Sequence, residues 1–411
     1  MKKVIVIGGG AGGLFAAIKA REMGASVTIL EKNNILGKKL LITGKGRCNL
    51  TNSGSLDDFI NKINNGQFLY SAFNKFSNKE TIDFFHSLGL PTKVERGGRV
   101  FPKSDRARDV VNTLEKYLHK IGVSVKFNTH VDSLTLSEGK IKGVSASRIF
   151  YSGDAVILAT GGASYPGTGC TGDGYKMAME VGHTIIPLKP SLVPLETAQS
   201  WVKEIQGLSL KNVEVTAWAG PKKLGSGFGE MLFTHFGLSG PVILSLSKYI
   251  TDYLSNRQKD PVTIKINLKP ALSPEQLDSR LQRDFQKFAR KQLRNAFAEL
   301  LPKSLIPVFV SLLPIPEDKP VHQITRGERE KIVQHFREFS LTVTKPRPLA
   351  EAIVTSGGVS IKEVNPKSME SKLVKDLFFA GEILDFDGLT GGYNLQAAFS
   401  TGYTAGLSAA E

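Results

Sequence analysis

Lys3-Val4-Ile5-Val6-Ile7-Gly8-Gly9-Gly10-Ala11-Gly12-Gly13-Leu14-Phe15 follows Met1 and Lys2 at the start of the chain. Val4 to Ile7 are all β-branched and apolar, so residues 3–7 read as a buried strand; residues 12–23 read as a helix and Ser26 to Leu30 as a second strand. The opening is therefore a βαβ unit with G-x-G-x-x-G at Gly8, Gly10 and Gly13. Each glycine has a physical reason: a tight turn, close approach of backbone to a pyrophosphate, and close packing of helix on strand. The helix N-terminus presents unpaired N–H groups and a partial positive charge to phosphates. Glu31 ends the second strand where a carboxylate accepts hydrogen bonds from an adenosine ribose. Strand, helix and acidic residue together predict a dinucleotide site, which a bare glycine pattern would not.

Working outward, a helix fits Arg106 to Ile121, and stretches at 123–128, 131–136 and 141–149 suggest a small antiparallel meander. A buried strand from Ala155 to Ala159 ends in Thr160-Gly161-Gly162. A second G-x-G-x-x-G at Gly167, Gly169 and Gly172 follows only after a long loop with Pro166, and no second strand ending in an acidic residue lies at the required distance. It reads as a loop and helix start with Asp173 as cap, so no second dinucleotide fold for NAD(P)H is visible. Prolines at 187, 190 and 194, and Lys345-Pro346-Arg347-Pro348, break the pattern. The fold class expected is α/β: a discontinuous Rossmann-type domain, residues 1–190 and 346–411, with a β-rich domain at 191–345 inserted. That insert carries a helical part at about 270–338, announced by Ser273-Pro274-Glu275-Gln276 and the capping box of Thr325 and Glu328.

The 411 residues exceed what one core organises. Two cysteines, Cys48 and Cys170, form no C-x-x-C pair and fit a reducing, cytoplasmic setting. No apolar run spans a bilayer, so no membrane insertion is expected. The net charge of +15 calls for something anionic without choosing among nucleic acid, membrane surface and acidic small molecules. Arg283, Lys287, Arg290 and Arg294 step by helical intervals and form the one nucleic-acid-like feature; a solvated surface is the favoured reading.

The far end points to FAD. Leu377-Phe378-Phe379-Ala380-Gly381-Glu382 is a short buried strand delivering a carboxylate suited to ribityl hydroxyls. Gly391-Gly392-Tyr393-Asn394-Leu395-Gln396 opens a helix whose N-terminus can face the pyrimidine edge of a flavin. With Gly44-Lys45-Gly46-Arg47-Cys48-Asn49-Leu50-Thr51-Asn52, Ala159 to Gly162 and Phe233 to Pro241, these motifs resemble, over nearly the whole chain, a bacterial family of NAD(P)/FAD-dependent oxidoreductases. Its members are described as aminoacetone-oxidase-like flavoproteins, and a bile-acid reductase is placed among them. The resemblance implies a glutathione-reductase-like FAD domain. It also implies cofactor contacts at Gly8, Gly10, Gly13, Glu31, Lys32, Lys39, Leu40, Asn49, Thr51, Val131, Ala159, Thr160, Gly161, Gly381, Glu382, Gly392, Asn394, Leu395 and Gln396, with Thr355 to Gly358 reaching the flavin through backbone. The earliest histidine, His86, lies outside the 37–52 loop, so the FAD is expected to be non-covalent.

The catalytic candidates are His235, beside a predicted helix start at Ser239 and Pro241, and Tyr165 after the Thr160-Gly161-Gly162 turn. A packed, backbone-satisfied histidine is an equal reading for His235, and a structural role the better one for Tyr165. The leading expectation is an enzyme whose FAD exchanges a hydride with a carbonyl, amine or enone substrate, with NAD(P)H or oxygen as the other redox partner. The rival is a flavin-containing protein that binds RNA or modifies tRNA.

Overall fold

A computed structural model describes residues 1–256 and 260–411. The strand Lys3–Ile7 lies at the centre of a five-stranded parallel sheet, in the order Leu377–Phe379, Ala155–Leu158, Lys3–Ile7, Ser26–Leu30, Ser124–Lys126. Val4 to Ile7 and Ala155 to Leu158 are all buried, which is why both read as unbroken apolar runs: a parallel sheet is covered on both faces. Because the strands are parallel, their C-terminal ends share one edge. Gly8, Glu31, Ala159 and Ala380 each follow directly on a strand there, so one rim gathers the segments singled out above.

One face is covered by the helices Ala11–Glu22 and Tyr393–Ala410, which run side by side with the rings of Phe15 and Phe399 4.4 Å apart. The latter helix is buried on most of its circumference, so it is apolar all round rather than amphipathic. Residues 123–128 do not join the meander. Their strand pairs with Ser26–Leu30 at the sheet edge, and the meander is built from Val131–Ser137, Lys140–Ala146 and Ile149–Ser152. The third predicted stretch is split because Ser147 and Arg148 turn with φ of 49° and 68°.

The chain divides into two compact units, Met1–Pro190 with Ala352–Glu411, and Ser191–Glu351. The second unit ends six residues beyond the expected 345, since the Arg347 guanidinium binds both Glu196 and Glu351 and keeps that segment with the barrel. That barrel is closed by six strands in the order Leu195–Thr197, Gly237–Ser239, Lys222–Thr234, Ser209–Ala219, Val262–Asn267, Phe339–Pro346. Its own apolar core includes Phe233, Phe297, Phe309, Phe336 and Phe339.

Both capping boxes form: Ser273 Oγ accepts from Gln276 N–H and Thr325 Oγ1 from Glu328 N–H. Three smaller expectations fail. Ser239 lies in a strand and Gly240, at φ 93°, caps the Pro241–Ser255 helix. Gly172 caps Asp173–Glu180, which leaves the Asp173 side chain free to pair elsewhere. The basic helix stops at Lys287, so Arg290 and Arg294 belong to the turns after it and no continuous basic stripe forms. Among the described residues no helix is long and apolar enough to cross a membrane.

Candidate functional site

The glycines of the opening loop divide their tasks as geometry requires. Gly8 has φ 99°, and a Cβ there would stand 2.6 Å from the Ala159 carbonyl oxygen. At Gly13 a Cβ would stand 1.9 Å from the Gly8 carbonyl oxygen, so glycine is what lets the helix pack on the strand. At Gly10 a Cβ would meet nothing within 4 Å, leaving backbone open to a ligand. Beside this loop the Glu31 carboxylate is buried; it accepts from Gly9 N–H at 2.7 Å on one oxygen and from Asn33 N–H at 2.8 Å and Asn33 Nδ2 at 2.7 Å on the other. Fixed this way, it keeps acceptor capacity for a ligand's hydroxyl groups.

Further along the same rim, the Lys39 ammonium donates to Glu382 Oε2 at 2.7 Å and to Ser164 Oγ at 2.7 Å. The other Glu382 oxygen accepts from Thr355 N–H at 2.8 Å and Ser164 Oγ at 3.2 Å. Burial works to lower the Lys39 pKa, but the Glu382 carboxylate outweighs it and holds the ammonium above its ordinary value. Cys170 lies nearby, and burial raises its thiol pKa; Tyr175, raised by burial and then by Glu382, is a neutral phenol. The Lys39 ammonium, the Glu382 carboxylate and the Ser164 hydroxyl are thus tied into one hydrogen-bonded cluster on the rim. Ser164 is the member the sequence reading missed. It is fully buried, and only its position three residues after Gly161 hints at it.

The third part joins two segments distant in sequence. Asn52 Nδ2 donates to the Gly391 and Gly97 carbonyls at 2.9 Å, and a Cβ on Gly392 would stand 2.3 Å from Thr51 backbone. The loop at 49–52 thus packs on the N-terminus of the Tyr393–Ala410 helix. Asn49 Oδ1, Thr51 Oγ1, Thr160 Oγ1 and Gln396 Oε1 are buried without a hydrogen-bond partner among the described residues. Buried orphans of this kind point to a polar ligand along the rim.

Two expected side chains are otherwise engaged. The Asn394 carboxamide accepts from Gly388 N–H and donates to Gly388 O, both at 2.8 Å, and Gln396 Nε2 donates to Phe76 O and Ser400 Oγ. Those amides brace the start of the helix. Leu40 and Val131 are buried apolar residues that could offer only backbone, and Leu395 is half-buried. Lys32 is bound to Thr171 and Asp173.

Of the catalytic candidates, Tyr165 lies in the first unit, one residue from Ser164, with φ 51° and an exposed ring. His235 lies in the second unit on the exposed turn before Gly237–Ser239. Its ring meets Phe236 edge-on at 4.9 Å, while the Arg347 guanidinium stands 4.7 Å from the Phe236 ring centre. The packed-histidine reading does not hold. Cys48 is fully buried, and burial pushes its thiol up to about 12; both cysteines are free.

Comparison with known proteins matches this arrangement. Residues 2–408 fit the model of the HI0933-like protein Rossmann domain. A curated relative from Clostridium scindens, named 3-dehydro-bile acid delta(4,6)-reductase, is 34% identical over 414 residues, covering 100% of both chains. One from Haemophilus influenzae, named ribosomal RNA dihydrouridine synthase, is 30% identical and covers 98% of this chain and 97% of its own. Among solved structures, the 3-ketosteroid delta1-dehydrogenase from Sterolibacterium denitrificans superposes with a TM-score of 0.54 over 100% of both chains at 13% identity, a likeness of fold alone. With the whole α/β fold, its inserted barrel and the glycine-loop rim inside the match, this chain belongs to the HI0933-like Rossmann FAD-binding family.

Proposed function

We propose that this chain holds FAD non-covalently along the rim and reduces a carbon–carbon double bond conjugated to a carbonyl in a small organic substrate, with NAD(P)H as electron source. The observation that carries the reading is the full-length 34% identity to a chain named as a delta(4,6)-reductase of a 3-dehydro bile acid. The second relative's name points the same way, because dihydrouridine is uridine with its ring double bond, conjugated to a carbonyl, reduced. Hydride addition to an enone-like system is the chemistry common to both.

The residues fit the cofactor. Glu31 suits the adenosine ribose hydroxyls, Gly8 to Gly13 the pyrophosphate, and the orphaned Asn49, Thr51 and Thr160 oxygens the remaining polar edge. FAD, when bound, supplies the hydride. The chain supplies the rest: Lys39, Ser164 and Thr355 fix the Glu382 side chain in place as an acceptor for a hydroxyl, and the helix starting at Tyr393 favours negative charge before its N–H groups. Tyr165, next to Ser164 in the same unit, is the candidate for the proton that completes the reduction.

Acid release should yield FAD; FMN, or a protein that cannot be loaded with FAD, would overturn the reading. The loaded protein, reduced anaerobically with NADH or NADPH, should be reoxidised by a 3-oxo-delta(4,6) steroid and not by its saturated 3-oxo analogue. A second reading, reduction of uridine in ribosomal RNA, is favoured by the charge of +15 and the 30% relative. Dihydrouridine formed in unmodified ribosomal RNA, with binding that weakens steeply with salt and on neutralising Arg290 and Arg294, would replace the steroid-like substrate with RNA.

A further inference from the structure

The second glycine motif, Gly167, Gly169 and Gly172, opens no dinucleotide fold, yet it does not lie idle in solvent. Its segment begins at a fixed point: Ala163 N–H and Ser164 N–H donate to Thr355 Oγ1 at 2.9 and 3.1 Å. It leaves through Tyr165, whose φ of 51° is strained for a side chain of that size. It then makes a 3₁₀ turn at Pro166–Thr168 and ends at Gly172, where the helix Asp173–Glu180 starts.

Between those points it crosses to the end of the strand that carries Glu31. Asn33 Nδ2 donates to the Thr168 carbonyl at 3.2 Å while also donating to Glu31 Oε1 at 2.7 Å, so one side chain binds both the ribose carboxylate and the crossing segment. Gly169 comes so close that a Cβ there would stand 2.6 Å from Asn33 Nδ2. Lys32 closes the far end: its ammonium donates to Asp173 Oδ2 and Thr171 Oγ1 at 2.5 Å each, Thr171 Oγ1 donates to Asp173 at 2.8 Å, and His130 Nδ1 stands 3.8 Å from Asp173. Desolvation of Asp173 is outweighed by these partners, so its carboxylate titrates below the ordinary range.

We propose that residues 165–173 form a strap across the adenosine side of the dinucleotide site, latched by Lys32 and Asp173 and guided by Asn33, and that this latch determines how long the dinucleotide stays bound. The proposal rests on the FAD reading above. A ligand whose ribose is held by Glu31 has the strap as its neighbour, because Asn33 joins the two. Escape then requires the strap to lift away from Asn33 and the Lys32–Asp173 pair to part. Gly169 is glycine because the chain passes against Asn33 there, and Gly172 takes a φ of 84° at the start of the next helix.

The test is the FAD dissociation rate of the full chain, followed by the change in flavin fluorescence after dilution into an excess of apoprotein trap. Asp173→Asn and Lys32→Met should each raise it about tenfold, and the exchange Lys32→Asp with Asp173→Lys should restore most of the loss. In the FAD-free protein, hydrogen exchange at residues 166–172 should quicken in Asp173→Asn while exchange at Val4 to Ile7 stays unchanged. That readout needs no cofactor and is not altered by loss of a ligand contact. FAD release and exchange at wild-type rates in both single variants would overturn the strap and leave the FAD reading intact. A wild-type protein that takes up no FAD would overturn that reading, and the strap with it.

Discussion

Lys39 and Glu382 come from opposite ends of the chain and meet at 2.7 Å with each side chain about four-fifths shielded. Replacing Lys39 with Met leaves the carboxylate half-buried without its cation, which should cost about 2 kcal/mol of unfolding free energy in urea, below the cost of breaking a fully buried pair. The Lys39 pKa stands above its unfolded value of 10.5, so the pair's contribution is complete below that pH and fades as pH rises through the folded value. The stability gap between wild type and Lys39→Met should therefore be constant from pH 7 to 9.5 and narrow beyond 10.5. Thiol reactivity offers an independent check: with Cys48 pushed up to about 12 and Cys170 also raised, Ellman's reagent at pH 8 should find no fast-reacting thiol in the native protein and two after denaturation. At this scale the sequence made some residues legible and hid others. Glu31 was readable because a fixed interval after the glycine loop sets its place. Ser164, Asn33 and Asp173 were not, since Lys39, Thr168 and Lys32, which they bind, are brought to them by tertiary folding across more than a hundred residues.

The helices Ala11–Glu22 and Tyr393–Ala410 approach closely enough that a Cβ on Gly402 would stand 2.2 Å from the Gly12 carbonyl oxygen and one on Gly406 2.2 Å from that of Ala16. Both contacts are to backbone, which cannot turn aside as a flexible side chain can. Gly402→Ala should therefore destabilise the first unit by about 3 kcal/mol, at the upper end for an overpacked core, as measured by urea unfolding. Since the same helix presents its N-terminus at Gly392, FAD affinity should fall with stability. Gly139, at a turn with nothing within 4 Å of a Cβ, serves as the control position; Gly139→Ala should cost only the strain of its positive φ. The capping boxes at Ser273 and Thr325 were legible because a cap is a local device of four residues. The helix end at Lys287 was not, for no glycine or proline marks it. Charged residues continue at helical spacing past Phe288 while the chain itself turns away.

Across the whole molecule, the first unit is made from two segments interrupted by the 191–351 unit, and the strand Leu377–Phe379 must pair with Ala155–Leu158 across that gap. Closing an unstructured loop of that length costs more than closing a short one by about 2.5 kcal/mol, taking three-halves RT times the logarithm of a roughly sixteen-fold ratio of lengths. The inserted unit removes most of that cost once folded, because its two ends are themselves paired: Leu195 stands opposite Pro346, and Arg347 N–H donates to the Pro194 carbonyl at 2.9 Å. All six barrel strands and a separate apolar core lie within the insert, so residues 191–351 alone should fold cooperatively, whereas residues 1–190 alone lack both a sheet strand and the helix that covers it and should not. The proline clusters made the insertion legible in the sequence, but not this closure, which depends on the barrel register. A substitution that unfolds only the barrel, such as a charged residue at Ile266, should then lower the stability of the first unit by no more than about 2.5 kcal/mol, the restored closure cost. Separate melting transitions for the two units, with FAD shifting only the first, would measure this directly; an isolated 191–351 fragment without a cooperative transition would show that the barrel does not provide the closure.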